Sequence, residues 1–216
     1  MDFAPTSFFP LLVGAADPDQ IVALRRHLAD PASFGGTWGL PSVARGDRAF
    51  SENVYWRGRI WQILNWLVWL GLKRAGLYED AEALRLKSER LFDLAWTSRL
   101  APENFNANTG AALDQPDTDP FYSWTALLPL MATSGLLEVD PWQGWCLHAS
   151  GEDRKLGPLH SPWGPLSVSR VGGRIEVRRE GALVFSSTNS TELTHFDLDG
   201  GRIRLIKGPA IASGIP

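Results

Sequence analysis

Ile60-Trp61-Gln62-Ile63-Leu64-Asn65-Trp66-Leu67-Val68-Trp69-Leu70-Gly71-Leu72 is apolar on nearly every side of a helical wheel. A helix of this kind, predicted over about Arg57 to Ala75, must be buried on most sides. Gly76 stands where a left-handed cap would end it. The next stretch, about Tyr78 to Thr97, carries Glu79, Asp80, Glu82, Arg85, Lys87, Glu89, Arg90 and Asp93 on one side. Ala81, Leu84, Leu91, Leu94 and Ala95 lie on the other, which describes an outer, amphipathic helix. A third long helix is predicted over about Pro120 to Ser134, mostly apolar through Phe121, Trp124, Leu127, Leu128 and Met131, and closed by Gly135. Buried helix, amphipathic helix, loop, buried helix is the alternation of an α/α toroid, in which inner helices are ringed by outer ones. A four-helix bundle would need every member to be amphipathic.

Upstream, Thr6-Ser7 reads as the cap of a short helix through Phe8-Phe9-Pro10-Leu11-Leu12. Asp17 is an expected N-cap, with Pro18 at the first helical position and Asp19 favoured by the helix dipole. That helix stops at Asp30-Pro31, and a long loop with Gly35-Gly36-Thr37-Trp38-Gly39-Leu40-Pro41 follows. Near Val139-Asp140-Pro141 the character changes to short alternating runs. Strands are expected at Leu166 to Val171, Arg174 to Arg179, Ala182 to Ser186, Thr191 to Leu198 and Arg202 to Lys207. Gly172-Gly173, Glu180-Gly181 and Gly200-Gly201 fall where hairpin turns belong. The expected fold class is therefore mainly α with a small all-β C-terminal region: a partial toroid over 1–140, then a short antiparallel sheet or the edge of a sandwich over 141–216.

The 216 residues suffice to bury a core, and 44% hydrophobic with 21% charged residues is ordinary for a globular chain. A net charge of −3 argues against a nucleic-acid partner. Cys146 is the single cysteine, so no internal disulfide framework exists. Met1 to Ser7 lacks a basic n-region and long apolar run, and Ile60 to Leu72 is too short to span a bilayer. A cytoplasmic protein without membrane contact is expected.

Two segments flank the helical hairpin: Tyr55-Trp56-Arg57-Gly58-Arg59-Ile60-Trp61 and Pro102-Glu103-Asn104-Phe105-Asn106-Ala107-Asn108-Thr109-Gly110. Together they offer aromatic rings, a guanidinium and a carboxylate, the equipment to grip a sugar and activate water beside it. Ten tryptophans are the compositional outlier; indole offers a flat apolar face to a sugar and a donating N–H, while Trp66, Trp69 and Trp96 read better as core. Glu103 is a candidate water-activating carboxylate, with Asn104 and Asn106 to orient it and Thr109-Gly110 to turn the chain, or else a solvated loop glutamate. Arg57 either bonds a ligand in bidentate fashion or pairs with Asp47 or Glu52. Asp114, Asp117 and Asp119 offer a second acid, a cation site or, at Asp119-Pro120, a helix N-cap, which is the stronger reading. No metal-ligand, phosphate-loop or Ser/Cys nucleophile spacing occurs, and neither metal nor cofactor is expected.

Read together, Pro5 to Leu12, Trp38-Gly39-Leu40-Pro41-Ser42-Val43-Ala44-Arg45, Tyr55 to Trp61, Glu103-Asn104-Phe105-Asn106 with Thr109-Gly110, and Phe121-Tyr122-Ser123-Trp124-Thr125-Ala126-Leu127 resemble glycoside hydrolase family 63, within it the mannosylglycerate hydrolase and α-glucosidase-like members. The resemblance covers roughly residues 3 to 135. It implies an (α/α)6 barrel that hydrolyses α-linked glucosides or mannosides with inversion. By the same resemblance Glu103 falls on the general base, Tyr55, Trp56, Arg57 and Trp124 fall on the sugar pocket, and Trp38 lies on a nearby loop. The family's general acid is an aspartate earlier in the barrel, and Asp2, Asp17, Asp19, Asp30, Asp47, Asp80 and Asp93 match no such motif. Inverting hydrolysis uses two carboxyls, so the chain is expected to be the C-terminal portion of such an enzyme, lacking its general acid, or else one chain of a two-chain hydrolase with the acid on a separate N-terminal barrel polypeptide. The alternative is a non-catalytic carbohydrate-binding or scaffolding module.

Overall fold

A computed structural model of the chain describes residues 3–134, 136–140, 144–147, 152–160, 164–188, 194–197 and 204–207. The chain divides into two compact units, Met1–Ala132 and Thr133–Pro216.

The first unit is helical. A 3₁₀ turn, Pro5–Phe8, runs into α1 (Phe9–Val13) without a side-chain cap, so Thr6 does not play the expected role; Pro5 and Pro10 supply the fixed φ instead. α2 (Pro18–Ala29) starts as its sequence requires. Asp17 Oδ1 accepts from the Gln20 N–H at 2.8 Å, and Gln20 Oε1 accepts from the Asp17 N–H at 3.0 Å, a reciprocal capping box.

The helix expected from Arg57 begins later. Arg59–Ile60 forms a short strand, β1, and α3 spans Gln62–Arg74. Gly58, at φ +101°, cannot lie in a right-handed helix, and a Cβ there would collide with the Phe50 carbonyl. The apolar run through Ile60 and Trp61 reads equally well as strand or helix. From Gln62 to Lys73 every residue is buried or half-buried, as an all-round apolar pattern demands. α3 ends in a Schellman motif: the Leu77 N–H donates to Leu72 O at 2.8 Å and the Gly76 N–H to Lys73 O at 3.0 Å, with Gly76 at φ +75°.

α4 (Tyr78–Trp96) is amphipathic, burying Ala81, Leu84, Leu91 and Ala95. Two of its residues depart from the expected faces. Arg85 is buried, because Glu82 and Glu89 accept its guanidinium at 2.7 and 2.9 Å. Leu94 is 43% exposed. Two further differences concern the third helix. Only a 3₁₀ turn, Ser123–Ala126, and α5 (Leu127–Thr133) are helical. Asp119 Oδ1 accepts from the Phe121 N–H at 2.9 Å, closing a local turn rather than capping a helix. Gly135 lies outside the described residues.

α3 packs against α1, α4 and the Ser123–Ala126 turn. One buried cluster gathers Phe8, Leu11, Phe34, Val68, Trp69, Leu72, Leu84 and Met131; another gathers Ile60, Leu91, Ala95, Phe105, Ala107 and Leu128. β2 (Phe105–Asn106) completes the first unit.

The second unit is all β. Its strands are β3 (Leu137–Asp140), β4 (Gly144–Leu147), β5 (Arg154–Leu159), β6 (Leu166–Val171), β7 (Arg174–Arg179), β8 (Ala182–Ser187), β9 (Thr194–Asp197) and β10 (Arg204–Lys207). They form two antiparallel four-stranded sheets, ordered β10-β9-β4-β3 and β5-β6-β7-β8. Gly172-Gly173 and Glu180-Gly181, all at positive φ, make the two hairpin turns of the second sheet. The Gly200-Gly201 turn lies outside the described residues. β3, β4 and β5 were not legible as strands. Leu137 and Leu147 from one sheet share a core with Leu166, Val168, Ile175 and Val177 from the other.

Among the described residues no helix is long and apolar enough to cross a membrane.

Candidate active site

The two sequence segments are neighbours in space. β1 pairs antiparallel with β2, Arg59 opposite Asn106 and Ile60 opposite Phe105, and Pro41 bridges Ile60 on the other side. The long loop is tied in by Asn65 of α3, whose Oδ1 accepts from the Leu40 N–H at 2.7 Å while its Nδ2 donates to Leu40 O at 3.0 Å. A buried side-chain amide thereby stands in for a strand partner.

Arg59 holds this junction together. Its side chain is fully buried, and a buried guanidinium requires every available acceptor. Nε donates to Asn104 Oδ1, Nη2 to Ala112 O at 3.2 Å, and Nη1 pairs with Asp114 Oδ1 at 2.9 Å. Asp114 also accepts from Asn106 Nδ2 at 2.6 Å and Asn53 Nδ2 at 3.4 Å. Burial pushes the Asp114 carboxyl up, but the bonds from Asn106, Arg59 and Asn53, with the Arg59 charge, outweigh it and hold it below its ordinary value. Asp114 is thus a structural counter-ion. Among the described residues no three His, Cys, Asp or Glu side chains gather as metal ligands would.

Glu103 sits next to this network with its backbone pinned and its side chain unengaged. Its N–H donates to Asp119 O at 2.8 Å. The preceding carbonyl, Pro102 O, accepts from Gln62 Nε2 at 2.9 Å and from Thr125 Oγ1. The following residue, Asn104, is buried, its Oδ1 taken by Arg59 and by Thr118 Oγ1 at 3.2 Å. Asn106 is engaged elsewhere too, accepting from the Asn108 and Thr109 N–H groups at 2.8 and 3.2 Å. The two asparagines therefore fix the loop and leave the half-buried Glu103 carboxylate without a hydrogen bond or ion pair among the described residues.

The rings gather around Trp61. Trp56 stacks on the buried Trp61 with centroids 3.7 Å apart and planes 12° apart. Tyr55 meets Trp61 edge-on at 5.1 Å, and Trp124 does so at 6.0 Å. Trp61 Nε1 donates to Tyr55 O at 3.0 Å, and Tyr55 reaches this position at φ +46°. Trp56 and Tyr55 remain 38% and 47% exposed, so one aromatic surface stays open to solvent. Glu103 and Trp124 are each one residue from the Pro102 O···Thr125 Oγ1 hydrogen bond that joins their segments.

Two candidates lie elsewhere. Arg57, not in a helix but in the turn before β1, is clamped in bidentate fashion by Glu52, which raises its pKa and leaves the pair solvent-exposed. Trp38 packs against Gly110 at the edge of the Ile60–Phe105 core and makes no ring contact with Tyr55, Trp56 or Trp124. Sequence reasoning passed over Arg59, Gln62, Trp61 and Thr125. Polar residues inside an apolar run were the available signal, since Arg59 and Gln62 flank Ile60-Trp61.

The helical unit thus carries a loop carboxylate and a tryptophan cluster on segments joined by the Pro102 O···Thr125 Oγ1 hydrogen bond. The chain belongs to the mannosylglycerate hydrolase MGH1-like glycoside hydrolase domain family, whose model matches residues 3–125. A mannosylglycerate hydrolase from Selaginella moellendorffii is 37% identical over 87 residues, 39% of this chain and 17% of that protein. A glucosylglycerate hydrolase from Mycolicibacterium hassiacum is 37% identical over 87 residues, 38% of this chain and 20% of that protein. The glycoside hydrolase family 63 mannosylglycerate hydrolase from Thermus thermophilus, solved with glucose, superimposes with a TM-score of 0.50 at 26% identity, over 61% of this chain and 30% of that one. The match spans about a fifth or less of these curated relatives.

Proposed function

We propose that this chain carries the water-activating half of an inverting glycosidase site for small α-linked glucosides or mannosides, with glucosylglycerate and mannosylglycerate as the model substrates. Glu103 is the general base; Trp56, Tyr55 and Trp124 receive the sugar, and Arg57 lies at the rim beside Trp56. The observation that carries this is the contrast at Glu103: its peptide is fixed on both edges while its carboxylate is left without a partner. A base must be ionised, held in place and free to take a proton, and membership of the family over residues 3–125 supplies the chemistry.

Residues 1–132 form part of an (α/α)6 barrel in this reading, and the general acid comes from a further barrel polypeptide docking on the open side. An acid contributes roughly 10²–10⁴-fold where the leaving oxygen must be protonated. It contributes little where the leaving group departs as a stabilised anion.

The test follows from that distinction. The chain should turn over a 2,4-dinitrophenyl α-glucoside or α-mannoside, release the β-anomer first by NMR, and leave glucosylglycerate untouched. Release of the α-anomer, or turnover that ignores the leaving group, contradicts the assignment. Sugar binding without any turnover favours the non-catalytic module.

A further inference from the structure

Gln62, the first residue of α3, is completely buried. Its Nε2 donates to Pro102 O at 2.9 Å and lies 3.4 Å from Thr125 Oγ1, while its Oε1 has no partner among the described residues. Turning the amide over gives no relief, because Oε1 would then face the Pro102 carbonyl, acceptor against acceptor. An unpaired acceptor in the interior destabilises the fold, and an apolar side chain of the same length would remove it.

The bond that Gln62 does make is not needed to satisfy Pro102 O, since Thr125 Oγ1 already donates to it. A second donor to one carbonyl fixes the direction of the peptide plane. That plane is the one whose nitrogen belongs to Glu103, and the nitrogen is held from the opposite edge by Asp119 O at 2.8 Å.

We propose that Gln62 is a positioning residue for Glu103: it locks the Pro102–Glu103 peptide, and with it the base of the carboxylate side chain, at the expense of an orphaned oxygen in the core. This rests on the reading of Glu103 as general base. A group that takes a proton in the transition state must be held to within a fraction of an ångström. Without Gln62 the peptide keeps one bond at each edge, Thr125 Oγ1 to the carbonyl and Asp119 O to the N–H, and can rock about the line that joins them.

Gln62→Met separates this role from ordinary packing. Methionine has the same length and no strong hydrogen-bonding atom, and Pro102 O keeps its bond from Thr125. Melting temperature should stay within about 2 °C of the parent or rise, since the orphan is gone. The Glu103 amide should exchange with deuterium roughly 10-fold faster while amides in the middle of α3 and α4 are unchanged. On the dinitrophenyl glycoside, kcat should fall by about 10-fold with KM within about 2-fold.

A melting temperature several degrees lower, with faster exchange throughout both helices, assigns Gln62 to packing and overturns the proposal. An unchanged Glu103 amide overturns it as well. Glu103→Gln, measured alongside, keeps the two claims apart. Parental turnover in that variant removes Glu103 as base, while the exchange result still decides whether Gln62 holds the peptide. A parent that does not turn over leaves the exchange result to decide alone.

Discussion

Arg59 Nη1 lies 2.9 Å from Asp114 Oδ1, joining a fully buried guanidinium to a carboxylate that is 29% exposed. This pair closes the loop of Glu103 onto the strand that follows the aromatic segment. Asp114→Ala would strand the Arg59 charge in the interior. Loss of one partner of a buried pair costs about 3–5 kcal/mol, and the partial exposure of Asp114 brings the expectation down to about 1–3 kcal/mol. Urea denaturation with and without the substitution reads the difference.

The same pair gives stability a pH dependence of known sign. The Asp114 carboxyl titrates below its ordinary value in the fold, so the unfolded chain binds the extra proton first. Its contribution is fully present above the unfolded carboxylate range, near about pH 4, and is lost as pH falls through the lower folded value. Asp114→Asn should therefore flatten the acid limb of the stability curve. Denaturant midpoints between about pH 5 and about pH 2.5 measure it.

Gly110 stands at φ +74°, and a Cβ there would lie 2.8 Å from Trp38 Cε2 and 3.1 Å from Leu94 Cδ2. Gly110→Ala adds a left-handed backbone penalty to a clash with an indole, together about 1–3 kcal/mol. Thermal unfolding monitored by tryptophan fluorescence should show both the loss and a shift of the Trp38 environment.

Trp56→Ala removes the more exposed member of the Trp56–Trp61 stack and uncovers one face of Trp61. Affinity for glucose should weaken by about 10-fold, on the scale of one lost aromatic contact, and melting temperature should fall by a few degrees as the stack on Trp61 is lost. Isothermal titration and calorimetry measure the two. Glu52→Ala and Arg57→Ala, at an exposed pair, should leave melting within about 1 °C; a further fall in glucose affinity in Arg57→Ala alone would place the guanidinium on the sugar.

Local signals in the sequence were read correctly where a few adjacent residues decide the outcome. Asp17-Pro18 caps α2, Gly76 ends α3, and Gly172-Gly173 and Glu180-Gly181 turn the chain between strands that keep the expected bounds at β6 and β7 and run one residue longer at β8. The readings that failed depend on distant partners. Arg59-Ile60 is a strand because Phe105-Asn106 arrives beside it. Arg85 is buried because Glu82 and Glu89 cover its charge, and Asp119 turns back on Phe121 because residues 101–103 pair with 119–122. At the site the rings and Glu103 stood out by residue type. The buried hydrogen bonds of Arg59 and Gln62 did not, since nothing in their neighbours names an acceptor so far along the chain.

The central claim is that Glu103 activates water, and turnover of a dinitrophenyl α-glycoside by Glu103→Gln tests it most directly. The amide has the shape of the carboxylate but cannot accept the proton, so the account predicts glucose binding at parental affinity with kcat reduced by at least about 100-fold. Parental kcat in that variant would contradict it.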